Sequence, residues 1–223
     1  MSAIKTQSLV TNTTLISHFE PRTLTQLQLF GAYLVAGVKY EHTELPKRGK
    51  DAWLAKLPKV DNSPIAMDID IVCILYNHTR KPLDIIWYGK LRNNSETVRH
   101  GGDALIGSKS FEETLINQEE IRVRALDLDD NIHHAAFVIT SYHNQPLRFA
   151  KKGIATLTDN ENNIAHSFHL DAIEGDCQSF LAWHIQRTDN DWLVHAPMKN
   201  LSTKDIDSLG DAVSTLLEQH TRW

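Results

Sequence analysis

The stretch Trp87-Tyr-Gly-Lys-Leu-Arg-Asn-Asn-Ser-Glu-Thr-Val-Arg-His-Gly-Gly-Asp103 runs from an apolar strand into a turn that ends on a carboxylate. Upstream, Asp68 and Asp70 open a second apolar run. In that run Ile69, Ile71, Cys73 and Leu75 fall on one side and Val72, Ile74 and Tyr76 on the other, as in a strand buried on both faces. Asn77 to Pro82 reads as a turn, and Leu83 to Leu91 as the next strand.

The period-two pattern repeats outward from this pair. Phe30 to Tyr40 fits either a strand buried on both faces or a short buried helix; Gly31 and Gly37 favour the strand, since an interior glycine costs a helix about 1 kcal/mol. Ile121, Val123 and Ala125 alternate with Arg122 and Arg124, a strand with one wet face. After an acidic turn at Asp127 to Asn131 come strands at Ala135 to Tyr142, Arg148 to Leu157, Ile164 to Leu170, Phe180 to Arg187 and Trp192 to Ala196. Asn/Asp-rich turns at 159–163 and 188–191 punctuate them. Short strands separated by such turns predict an all-β, antiparallel β-sandwich.

The C-terminal segment has a different period. Ser202 to Asp205 has the Ser-x-x-Asp form of a helix start, with Leu201 and Ile206 placed as a hydrophobic staple. Ile206, Leu209, Val213, Leu216 and Leu217 then share one helical stripe, so an amphipathic helix is added at the C-terminus. The expected organisation is a polar lead-in at 1–23, a sandwich over 24–200 and the helix over 201–223. A long Pro-rich excursion at 41–66 interrupts the sandwich, pinned to the body by Trp53 and Leu54. The helix is expected to pack on the sandwich, with binding of a partner as the other role for such a face.

Composition narrows the function classes. The chain has 223 residues, 41% hydrophobic and 23% charged, with a net charge of −5, which suits a globular protein and gives no basic surplus for nucleic acid. Lys47-Arg48-Gly49-Lys50 is too short a basic run to change that. Cys73 and Cys177 have no metal or redox spacing, and Cys73 reads as a buried thiol. No leader pattern and no membrane-span-length apolar run is seen, so a cytoplasmic location is expected.

The chemistry rests on carboxylates. Residues two apart on a strand point the same way, so Asp68 and Asp70 share a face about 7 Å apart. Two like charges repel, and a hard cation between them removes that penalty. Asp103, the carbonyl of Gly102, and Glu112 and Glu113 in the following loop are the further oxygen donors expected for calcium, with Glu119 and Glu120 as later substitutes. Among the twelve histidines, His133 and His134 are adjacent and face opposite ways, as do His166 and His169. His184 and His195 read as isolated, internally satisfied histidines. No nucleophile elbow, P-loop, dinucleotide fingerprint or zinc spacing occurs, so the expectation is a protein that is not an enzyme.

These same segments resemble the TerD family of bacterial tellurium-resistance and general stress proteins. Tyr33 to Tyr40 resembles the family's first long strand, and Asp68-Ile-Asp70 its Asp-Leu-Asp opening. Asp84-Ile-Ile-Trp-Tyr-Gly-Lys-Leu91 is similar to its Asp-Phe-x-Phe-Tyr-Asn-Asn-Leu, and Val98-Arg-His-Gly-Gly-Asp103 to its Val-x-His-x-Gly-Asp-Asn. The resemblance implies a sandwich that binds calcium through loops at one end, with Asp68, Asp70 and Asp103 at the matching ligand positions. It also implies a role among other stress-response proteins. The chain departs from the family after Asp103: Ala104 to Phe111 carries Lys109 where the family places carboxylates. A degenerate site, or a scaffold that has lost its ion and works through the helix or the 41–66 loop, is the alternative.

Overall fold

Eight consecutive residues from Ile69 to Tyr76 are buried, and the molecule is layered around them. The computed structural model describes residues 19–46, 63–102, 105–108 and 117–219. The described strands are β1 (Arg22–Thr23), β2 (Leu34–Lys39), β3 (Glu44–Leu45), β4 (Ile65–Ala66), β5 (Ile69–Tyr76), β6 (Pro82–Ile86) and β7 (Val98–His100). They continue with β8 (Glu119–Val123), β9 (His134–Ser141), β10 (Ile154–Asp159), β11 (Ile164–His169), β12 (Ser179–Arg187), β13 (Trp192–His195) and β14 (Lys199–Asn200). A single α-helix, α1 (Ile206–Gln219), follows among the described residues.

The larger sheet runs β1-β13-β12-β9-β5-β6, with β14 also on β12; the smaller runs β11-β10-β2-β8-β7. Every pairing between these strands is antiparallel. Between the sheets lie Ile69, Ile71, Cys73 and Leu75 of β5, facing Ala36, Val38, Ile121 and Val123. On the other face of β5, Val72, Ile74 and Tyr76 join Ala136, Val138 and Leu181 under Leu209, Val213 and Leu217 of α1. The two faces of β5 thus build two apolar layers, as the alternation in sequence predicts. The helix is the third layer, held also by a Tyr76 hydroxyl that donates to the Gly210 carbonyl at 3.0 Å.

Several boundaries differ from the sequence reading. The first long strand begins at Leu34, and Phe30 is 70% exposed. The strand expected over Leu83 to Leu91 ends at Ile86, because Trp87 and Lys90 bond each other across a tight turn. Gly89 permits that turn: a Cβ there would sit 2.6 Å from the Trp87 ring. In place of a strand starting at Arg148, Leu147–Phe149 forms a 3-10 turn and β10 starts at Ile154. Helix α1 starts from Asp205, whose carbonyl accepts the Leu209 amide, rather than from Ser202. Trp53, Leu54 and the basic run 47–50 lie outside the described residues.

Candidate functional site

Asp68 stands just ahead of β5 and Asp70 is its second residue. Both are buried, at 6% and 4% exposure. The Tyr40 hydroxyl donates to the Met67 carbonyl and accepts the Ile69 amide, each at 3.2 Å, so one phenol clamps the backbone on both sides of Asp68. Burial pushes the Tyr40 phenol far above its ordinary range. The Ile69 amide opposes this, while the charges of Asp68, Glu119 and Asp70 add to the rise. These three acids therefore act on one phenol at one end of the sandwich.

Glu119 is not a loop residue. It opens β8, where its inward register is shared with Ile121 and Val123, and it is 1% exposed. Its neighbour Glu120 instead faces out, 2.6 Å from the Arg122 guanidinium. Beside Glu119 lies His100, the last residue of β7, with Nε2 at 3.4 Å from Glu119 Oε2 and both side chains fully enclosed. The sequence offered Glu119 only as a substitute donor in a loop, and His100 stands between Arg99 and Gly101 with no apolar pattern to mark it, so the pair emerges only from the fold.

The chain leaves β7 through Gly101 and Gly102. The Gly101 amide donates to the Glu120 carbonyl at 2.8 Å, and the Gly102 amide to His100 Nδ1 at 3.1 Å. Gly102 has φ of +122°, a conformation glycine adopts freely. The other expected donors, Asp103, Glu112 and Glu113, lie outside the described residues. Among the described residues, no three His, Cys, Asp or Glu side chains are grouped so as to hold a metal ion. Of the expected donors the structure thus places Asp68, Asp70 and Gly102, and it sets Glu119, expected as a substitute donor, inside the sandwich beside His100.

The histidines are arranged differently from expectation. His184 and His195 face each other across the β12–β13 pairing, and with His134 of β9 they form one buried row. His134 Nδ1 and His184 Nε2 are 3.1 Å apart. Ring centroids are 5.2 and 5.3 Å apart with planes inclined by 24°. With nitrogens at 3.1 Å and centroids at 5.2 Å, the His134 and His184 rings meet edge to edge and share a hydrogen bond. Far from being satisfied, His184 Nδ1 and both ring nitrogens of His195 find no hydrogen-bond partner among the described residues. Burial lowers the His134 and His195 pKa values to about 4, and lowers His184 well below its ordinary value. The Arg80 charge adds to the shift at His134 and at His184.

At the other end of β2 and β8 a cleft of about 330 Å³ is lined by Leu24, Phe30, Tyr33, Leu126, Asp159 and Asp191, among others. Two of its three carboxylates serve the backbone, and the third, Asp127, pairs with Arg124. Asp159 accepts the amides of Gly31, Glu161 and Asn163, and Asp191 those of Thr25 and Trp192. They act as turn caps. Cys73 is fully buried between the sheets, and both cysteines are free thiols. No helix among the described residues is long and apolar enough to cross a membrane.

Comparison with known proteins gives these features a family. The chain is 24% identical over 153 residues to the tellurium resistance protein TerZ of Serratia marcescens, covering 68% of this chain and 76% of that protein. Its fold is similar to the crystal structure of SAV2460, a protein of unknown function, with a TM-score of 0.60 at 12% identity over 80% of this chain and 94% of that one. It is also similar to a homologue of the telluride resistance protein TerD from Streptomyces coelicolor, with a TM-score of 0.59 at 10% identity over 80% and 95% of the two chains. The sequence profile of the TerD domain matches residues 50–208, most of the chain, and the protein belongs to the TerD family.

Proposed function

We propose that this chain is a non-enzymatic binding module of a bacterial tellurium-resistance or stress response, acting in the cytoplasm and taking calcium at the Asp68–Asp70 end of its sandwich. Family membership supports the physiological half of this reading. One observation supports the calcium half: Asp68 and Asp70, two residues apart at the start of β5, are both buried, at 6% and 4% exposure. Paired carboxylates together with carbonyl oxygens are the donors that a hard cation such as calcium takes. The donor chemistry fits calcium, with Asp68, Asp70 and the Gly102 carbonyl as the described donors and Asp103, Glu112 and Glu113 assigned from sequence alone. Bound calcium would supply positive charge and tie the start of β5 to the turn after β7.

The test is thermal unfolding with and without millimolar calcium. A ligand held only by the folded state raises the melting temperature, and Asp68→Asn or Asp103→Asn is expected to abolish the rise. No shift in the unaltered chain would overturn the calcium reading. The scaffold alternative has an observation against half of it: the apolar stripe of α1, through Leu209, Val213 and Leu217, is already packed on the larger sheet. Most of the 41–66 excursion lies outside the described residues.

A further inference from the structure

The cleft lined by Asp159 and Asp191 has walls held by turns. The Gly31 amide donates to Asp159 Oδ2 at 3.3 Å, the Tyr33 amide to Asn160 Oδ1 at 2.9 Å, and the Asn160 amide to the Tyr33 carbonyl at 3.1 Å. A second wall is the 3-10 turn Ala125–Asp127, closed by the Asp127 amide on the Arg124 carbonyl at 3.0 Å. Phe30 and Leu126 stand on these two walls. At 70% and 79% exposure they are the two most exposed large hydrophobic side chains among the described residues, and both line this one cleft. Leu24, Leu29 and Leu34 give it a buried apolar lining. Single exposed apolar side chains are ordinary, but two on one cavity of about 330 Å³ mark a place for a ligand. Small-molecule sites begin at about that volume.

The charge of the lining is unbalanced. Arg124 pairs with Asp127, and those two charges cancel. Among the described residues no Lys, Arg or His nitrogen pairs with Asp159 or Asp191, and their hydrogen-bond donors are uncharged. Burial opposes the ionisation of both. Hydrogen bonds from Asn163, Glu161 and Gly31 at Asp159, and from Trp192, Thr23 and Thr25 at Asp191, outweigh it and hold both carboxyls below their ordinary range. Two negative charges therefore remain at neutral pH, and apolar walls focus their field. Asp159 is 2% exposed and acts through that field, whereas half-buried Asp191 can be touched. An anion is repelled here, and a metal ion would have to take the carboxylates from the amides they cap. An ammonium needs only to add one more donor to Asp191, and a carboxylate has room for about four.

We propose that this cleft binds a small organic cation: a protonated amine on a compact apolar body, with the ammonium against Asp191 and the body between Phe30 and Leu126. The site lies at the opposite end of β2 from the Tyr40 clamp, and it stands or falls independently of calcium.

Phenethylamine, which is protonated at neutral pH, is the probe, and phenethyl alcohol is its neutral counterpart. Each is titrated into the isotope-labelled full chain while amide resonances are followed. The amine is expected to move the peaks of residues 24–34, 124–127 and 191, and to bind about tenfold or more tightly than the alcohol, which lacks the charge-assisted hydrogen bond. Asp191→Asn keeps the shape of the side chain and removes its charge. It should weaken the amine about tenfold and leave the alcohol unchanged. Leu126→Ser, at a position exposed enough to spare the fold, should weaken both ligands. The comparison of amine with alcohol on the unaltered chain needs no variant, so it decides the matter even if Asp191→Asn does not fold. Equal binding of amine and alcohol, peak movements confined to other residues, or no movement at all overturns the proposal.

Discussion

Tyr40 has its hydroxyl between a carbonyl and an amide, Met67 O and Ile69 N, at 3.2 Å each. Tyr40→Phe keeps the ring and removes both bonds, leaving a buried amide unmatched beside Asp68. The expected loss is about 1–3 kcal/mol, read as a lower urea midpoint at unchanged slope. A midpoint equal to that of the unaltered chain would mean that the hydroxyl contributes nothing. The aromatic at the end of the Leu34–Lys39 strand could be read from sequence, but its partners are 27 and 29 residues away and belong to the facing sheet. The same holds for His100 and Glu119. Glu119 precedes the alternating Ile121 and Val123, whereas His100 stands between Arg99 and Gly101 with no apolar run to mark it, and their meeting depends on the β7–β8 pairing. Asp68 and Asp70 were legible because a pattern two residues apart is local.

Elements were read well where the pattern alternates without interruption and poorly where a turn hides inside apolar sequence. Ile69 to Tyr76 fell on the two faces expected of it because strand geometry alone divides odd from even positions. Trp87-Tyr-Gly-Lys90 looked like more strand, since aromatic residues favour strands, and only the space needed by the Trp87 ring reveals the turn. The helix stripe was legible from its spacing, and the structure gives it a definite load. Leu209 is fully buried between α1 and the larger sheet, so Leu209→Ala is expected to cost about 2–5 kcal/mol. Thr215→Ala, on the exposed side of the same helix, should stay within about 0.5 kcal/mol. Chemical denaturation of both variants decides between a structural layer and a loosely attached arm: equal, small effects would mean that the helix is dispensable to the fold.

Acid tests the whole molecule, because the buried row His134, His184 and His195 crosses three adjacent strands at the middle of the larger sheet. In the folded state burial lowers His134 and His195 to about 4 from an ordinary 6.5, and lowers His184 as well. The unfolded chain therefore binds more protons between those limits, so stability increases with pH across that window. It is fully present above about pH 6.5 and declines as the pH falls toward 4. Each pKa unit corresponds to about 1.4 kcal/mol, so the decline should reach at least about 2 kcal/mol by pH 5. Asp159 and Asp191, whose carboxyls lie below their ordinary range because turn amides donate to them against the cost of burial, lose their contribution at still lower pH and act in the same direction. Urea midpoints measured from pH 8 to pH 4.5 should trace this fall. His195→Gln, which removes one of the titrating groups and leaves the sheet contacts around it, should flatten the curve. A midpoint independent of pH across that range would mean that the imidazoles are reached by water in the folded protein, and that the row is no part of its core.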